Sequence, residues 1–272
     1  MRKLSFALAA LLTAAPALGQ EHDHGAAPQS AATGWTSLPL VQATLKGRGG
    51  AELVTANSAA REIAIVPPKG TAVTLAVADG KATFKPQIGN YHLVSAVDSC
   101  DTHVATASTA VYFSNPGPAP TEILRQPAAG LSVVPERLPR EHGAFRAGET
   151  WRFLVSMDGK PLSGATVRVE TGNGSKAQLL SDAAGLVNVT FPDDFPPRDR
   201  RPPETHGRPT QAPFVVAAVM QSGELQHIGA FNYAYRPGAD DGMSLWAGAG
   251  FAFVGMVIAA PLVRRRNKGG AR

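Results

Sequence analysis

The chain has a single cysteine, Cys100, among 272 residues. That excludes an intrachain disulfide framework and any zinc site built from several cysteines. Charged residues make up only 17% and aromatics 7%, against 44% apolar residues, a composition too apolar for a disordered chain. Glycine-rich phosphate loops, a nucleophile elbow and His-Glu-x-x-His are all missing, so the usual sequence routes to an enzyme are closed and no enzymatic activity is expected. Helical periodicity is scarce between residues 20 and 240. Glycine (28) and proline (22) are plentiful instead, together about 18% against an average of roughly 12%, which suits short strands joined by turns.

The formal net charge of +5 would suggest an acidic partner such as nucleic acid. The charge is not spread evenly. Without Arg2 and Lys3 at the start and the five basic residues of the last nine, 19 basic residues face 21 acidic ones, a net of −2. The basicity therefore belongs to the ends, and nucleic acid is excluded as a partner.

Both ends read as targeting segments. Arg2 and Lys3 precede an apolar run over residues 4–15 that is too short to span a bilayer, and Ala17-Leu18-Gly19 places small residues where a signal peptidase reads. Residues 1–19 are thus expected to be a cleaved signal peptide, leaving Gln20 as the mature N-terminus. Residues 243–263 are 21 uncharged residues, about 31 Å as a helix, with Trp246 near the start and Arg264, Arg265, Arg266 and Lys268 directly after. This predicts one transmembrane helix, with residues 264–272 as a basic cytoplasmic tail and the rest of the mature chain in the periplasm. Gly248, Ala252, Gly255 and Ala259 lie near helical spacing, which permits close packing on a helix of a membrane partner.

Between the ends, residues 20–36 form a small polar lead and 37–115 an N-terminal β region. In that region strands are expected at 41–45, 62–66, 72–77, 81–84, 91–97 and 105–113. Asp79-Gly80 marks a turn between two of them. Residues 116–143, opened by Pro116, Pro118 and Pro120, are expected to be a linker. In 144–236 the alternation is stronger. Trp151, Phe153 and Val155 share a face, as do Val167 and Val169, and then Val187, Val189 and Phe191. Further strands are expected at 214–220 and 225–235, with a long, mobile loop over 192–213. The fold class is all-β: one or two sandwich domains of prealbumin or immunoglobulin type, plus the C-terminal helix. Phe231, Tyr233 and Tyr235 alternate onto one face and read as packing.

Gly159-Lys-Pro-Leu-Ser-Gly-Ala-Thr-Val167, followed by Ser181-Asp-Ala-Ala-Gly-Leu-Val-Asn-Val-Thr190, resembles the carboxypeptidase-regulatory-like, prealbumin-type β-sandwich. Asp158-Gly159 and Ser163-Gly164 allow tight turns there, and Asp182 to Gly185 the next. The wider layout, from signal through histidine-bearing lead and β module to one membrane span, resembles periplasmic accessory components of bacterial nickel and cobalt uptake systems. That resemblance implies a protein that binds nickel or cobalt and passes it to membrane transporter subunits. The alternative is a structural or adhesion-type module that binds a protein or glycan.

Two clusters carry candidate metal ligands. With cleavage after Gly19, the lead begins Gln20-Glu21-His22-Asp23-His24. A free amine, two deprotonated backbone amides and the imidazole of a third-position His22 close a four-nitrogen plane suited to Ni(II) or Cu(II). Cyclisation of Gln20 would remove the amine and with it this mode. The second, weaker cluster is Asp98-Ser-Cys100-Asp101-Thr-His103 with His92 upstream. Cys100 and His103 suit a soft or borderline ion. Read as a nucleophile pair, the same two residues show no orienting partner in the sequence. Glu141-His142, Thr205-His206 and His227 are expected to be structural or incidental.

Overall fold

The computed structural model describes residues 34–46, 49–113, 120–126, 128–140, 143–201 and 210–238. The expected signal peptide, the lead up to residue 33, the span at 243–263 and the basic tail lie outside the described residues. Among those described, no helix is long and apolar enough to cross a membrane.

The described chain is mostly β-strand, with hardly any helix, and forms a sandwich. Its first half runs β1 (Leu40–Lys46), β2 (Gly50–Ala56), β3 (Glu62–Val66), β4 (Val73–Ala76), β5 (Lys81–Phe84), β6 (Asn90–Ser99) and β7 (His103–Phe113). A five-residue helix α1 (Thr121–Arg125) leads to β8 (Leu131–Pro135), β9 (Phe145–Arg146), β10 (Thr150–Met157) and β11 (Lys160–Pro161). The second half closes with β12 (Thr166–Thr171), β13 (Lys176–Leu180), β14 (Leu186–Thr190), β15 (Ala212–Ser222) and β16 (Leu225–Arg236). Nine strands make one central sheet in the order β13-β12-β15-β16-β7-β6-β3-β4, with β9 added beside β16. β1-β2-β5 form a three-stranded sheet, and β11-β10-β14 with β8 form a four-stranded one.

Successive side chains of a strand point to opposite faces, so the register decides which small sheet covers which face. Phe231, Val216, Val169, Ala110 and Tyr91 lie on one face and pack with Phe153, Val155 and Val187 of the four-stranded sheet. Val94, Ala96, Ala107 and Val111 lie on the other and pack with Val41, Ala51 and Leu53 of the three-stranded sheet. The two small sheets therefore cover opposite faces of the central one, over different halves of it. Where both coverings meet, β7 is buried from residue 105 to 111 and β15 from 214 to 218, which explains the unbroken apolar run Phe214-Val-Val-Ala-Ala218.

The seam between the halves is the parallel pairing of β16 with β7, from Gln226↔His103 to Phe231↔Ser108. Ser108 Oγ donates to the Ala230 carbonyl at 2.9 Å, and Thr109 Oγ1 to the Asn232 carbonyl at 2.8 Å. The buried Asn232 amide clamps β1 across this seam. It accepts from the Val41 N–H at 3.0 Å and donates to the Val41 carbonyl at 2.9 Å. On the opposite face β8 presses against β16 at Gly229, where any Cβ would meet the Leu131 carbonyl oxygen at 2.5 Å.

Several expectations need correction. The stretch 116–143 contains α1 and β8, and β8 pairs with β10 from Leu131↔Met157 to Pro135↔Phe153, so a core strand stands where a linker was expected. Leu131 and Val133 are buried there; the flanking prolines and glycine hide the strand in the sequence. β2 is also additional, because Gly50-Ala51 carries little β-propensity although Ala51 and Leu53 are fully buried. At the Asp79-Gly80 turn both residues have positive φ (51° and 71°), as a type I′ turn requires. Yet the strands it joins belong to different sheets and share only the Ala78↔Lys81 bridge. Around the turn expected at Asp158-Gly159, φ is 50° and 74°, and Met157 pairs with Lys160. At the start of the long loop, Asp194 accepts hydrogen bonds from Thr171 (2.7 Å), Asn173 (3.1 Å) and the Tyr235 hydroxyl. Burial opposes ionisation of Asp194, but these donors together hold its carboxyl below the ordinary range. Residues 202–209 of that loop lie outside the described residues.

Candidate metal centre

The β6–β7 hairpin turns in two residues, Asp101 and Thr102, closed by the Cys100 N–H donating to the His103 carbonyl at 2.9 Å. Residues that face each other across such a turn project to the same side. Cys-x-x-His at this place therefore brings a thiol onto an imidazole: Cys100 Sγ lies 3.1 Å from His103 Nδ1. Asp98, two residues before Cys100 on the same strand, shares that side by alternation. Its Oδ2 accepts from the Ala59 N–H at 2.6 Å and stands 3.6 Å from His103 Nε2, an electrostatic contact rather than a hydrogen bond. One imidazole nitrogen thus faces sulfur, and the other faces a carboxylate beyond hydrogen-bond distance.

Cys100 is exposed, and Thr102 Oγ1 lies 3.3 Å from its sulfur. The Thr102 hydroxyl is the main influence on the thiol, followed by the Thr102 and His103 backbone amides. Together they favour the thiolate and hold the thiol below its ordinary pKa against the opposing charge of Asp98. A thiolate is the form that ligates metal.

The 3.1 Å between Cys100 Sγ and His103 Nδ1 is a hydrogen bond between thiol and imidazole, two groups that can each ligate a soft or borderline ion. Among the described residues no group of three or more His, Cys, Asp or Glu is arranged to hold a metal ion. The tip brings two candidate donors together, Cys100 and His103.

His92 does not join it. It sits near the start of β6, roughly 25 Å of extended strand from the tip. It is buried between Phe84 and Phe113, with Nδ1 3.3 Å from the Asn90 carbonyl. Burial there lowers its pKa, so it is a neutral core histidine. The register pairs Gln226 with His103, so His227 projects to the opposite face from the tip. Phe231 and Tyr235 are fully buried and Tyr233 packs against the same core, which leaves no open stacking platform of the three. Gln20, Glu21, His22, Asp23, His24, His142 and His206 lie outside the described residues.

The described chain does start at the same end of the fold as the tip. Asn57 Nδ2 donates to the carbonyls of Thr36 and Leu38, both at 2.9 Å, and two residues on, Ala59 makes its bond to Asp98. A short run of contacts therefore links the root of the lead to Cys100 and His103. The sequence singles out the Cys-x-x-His pair. It gives no signal for the Ala59 contact, and shows Asp98 as a helper without its place behind the imidazole.

Fold and site together define a β-sandwich protein with a solvent-exposed thiol–imidazole tip. No protein-family model and no curated protein matches the chain. Among solved structures it is similar, at 14% identity and a TM-score of 0.25, to a 1.5-MDa bacterial ice-binding adhesin, covering 75% of this chain and 66% of that one, just under two thirds of its length. It is also similar to a two-domain fibronectin type III segment of chicken tenascin (10% identity, TM-score 0.23, covering 73% of this chain and 98% of that one). A third likeness is to the fibronectin(III)-like modules of Clostridium thermocellum CbhA (8% identity, TM-score 0.23, covering 74% and 95%). Overlaps this low carry no statement about binding or activity.

Proposed function

We propose that this is a membrane-anchored periplasmic accessory protein that captures a transition metal ion, nickel or cobalt before copper, and passes it to the subunits of an uptake transporter. The mature lead begins at Gln20 and supplies His22 and His24; the β6–β7 tip supplies Cys100 and His103. The β region and the prealbumin-type sandwich carry both, and the C-terminal helix docks the transporter in the inner membrane. The ion is cargo, and no catalysis is assigned.

One observation carries the reading: the thiol–imidazole tip stands at the end of the fold from which the lead departs. Residues 20–33 can reach up to about 50 Å when extended, ample to bring two more imidazoles to the tip. Lead and tip together offer the four nitrogen and sulfur donors that neither has alone once Gln20 is cyclised.

The test is calorimetric titration of the mature full-length protein in lipid nanodiscs with Ni(II), Co(II) and Cu(II). The reading expects tight one-to-one binding that weakens at least about tenfold in His22→Ala/His24→Ala and again in Cys100→Ser/His103→Ala. Binding no tighter than that of an unrelated histidine-bearing peptide would overturn metal capture. The structural or adhesion-type module would then be the remaining reading.

A further inference from the structure

The first half of the molecule has an open mouth at a different place from the tip. β4 ends the nine-stranded sheet and β5 ends the three-stranded one, so neither has a partner on its outer side. The turn at Asp79-Gly80 passes the chain from one sheet to the other. Between the two free edges lies a cleft of about 360 Å³, at the small end of ligand sites. Ile65, Leu75 and Phe84 wall it, and the His92 ring reaches its lining from the core.

Its apolar wall is not finished. Only five large apolar side chains of the described residues are exposed, and two of them, Val73 (44%) and Ile88 (36%), line this one cleft. Isolated exposed apolar residues need no explanation, but these two share one concave surface. The charge around it has one sign: Lys69 and Lys85 line the cleft, and none of its lining residues is acidic. An apolar slot with two ammonium groups and no carboxylate complements a ligand that has an apolar body and an anionic head.

We infer that this cleft binds a small apolar carboxylate, its hydrocarbon body against Val73, Leu75, Phe84 and Ile88 and its carboxylate between Lys69 and Lys85. The inference is independent of metal capture, because the cleft and the hairpin tip share no residue. A peptide strand added to the free edge of β4 would use backbone hydrogen bonds and would not depend on the two lysines.

The experiment is equilibrium dialysis of the full-length protein in nanodiscs against 2-naphthoate, with empty nanodiscs subtracted. One saturable site is expected. Neutral 2-naphthol should bind at least about tenfold more weakly, and so should 2-naphthoate to Lys69→Glu/Lys85→Glu, since two exposed ion pairs are reversed. Val73→Trp, at an exposed strand position, should fill the cleft and abolish the site while circular dichroism stays unchanged. Absence of a saturable site would overturn the inference. So would naphthol binding as tightly as naphthoate, or naphthoate binding that survives both variants.

Discussion

The two halves of the molecule are built from different material. The core under the four-stranded sheet is aromatic: Phe145 alone contacts the rings of Trp151, Phe153, Phe191, Phe214 and Tyr233. The core under the three-stranded sheet is made of Ala51, Ala96 and Ala107 among Val41, Leu53, Ile63 and Ile65, with Phe113 and His92 at one end. Large rings interlock at the centre of the second half, and its cleft of about 510 Å³ lies to one side, lined by β12, β13 and β14. The first half has a cleft of about 360 Å³, a buried imidazole and an exposed thiol–imidazole tip.

The contrast can be broken most forcefully at the aromatic hub. Phe145→Ala should cost about 3–5 kcal/mol in denaturant unfolding, and a cost below about 1 kcal/mol would remove Phe145 from the hub. Asn232→Ala comes next, because it leaves the buried N–H and carbonyl of Val41 unpaired, at about 1–3 kcal/mol. Amide exchange should quicken in β1 and stay unchanged in β10. Uniform quickening would make the seam part of one cooperative unit.

A smaller effect follows from His92. Burial holds its pKa below 6.5 in the folded chain, so below that pH the unfolded chain binds a proton that the native one refuses. Stability present above pH 6.5 is therefore lost as the pH falls beneath it. The melting temperature should drop between pH 7 and 5, and His92→Phe should flatten that part of the curve. The smallest effect is at the tip. Alkylation of Cys100 should show its midpoint below the ordinary thiol value, and Thr102→Val should move the midpoint upward. An unmoved midpoint would remove Thr102 from the site.

The same contrast governs what is legible in the sequence. Trp151, Phe153 and Val155, or Val187, Val189 and Phe191, announce strands because large apolar residues alternate with polar ones. β2 escapes because its buried residues are mostly small, and β8 because prolines and a glycine surround it. The β7–β16 pairing joins residues more than a hundred positions apart, and no local pattern encodes it. At the site, Cys-x-x-His is visible as a pair, but nearness in sequence groups His92 with it, and the strand expected at 91–97 runs it away from the tip. Asp98 gains its meaning only from the hairpin, which fixes its side and sets it behind the imidazole.

Absorption spectroscopy of the Co(II)-loaded mature protein is the most direct test of lead and tip acting on one ion. The account predicts a thiolate-to-metal charge-transfer band that vanishes in Cys100→Ser and is also weakened by His22→Ala/His24→Ala at the same metal concentration. Tight Co(II) binding with no sulfur band, unchanged by Cys100→Ser, would contradict it and confine capture to the lead.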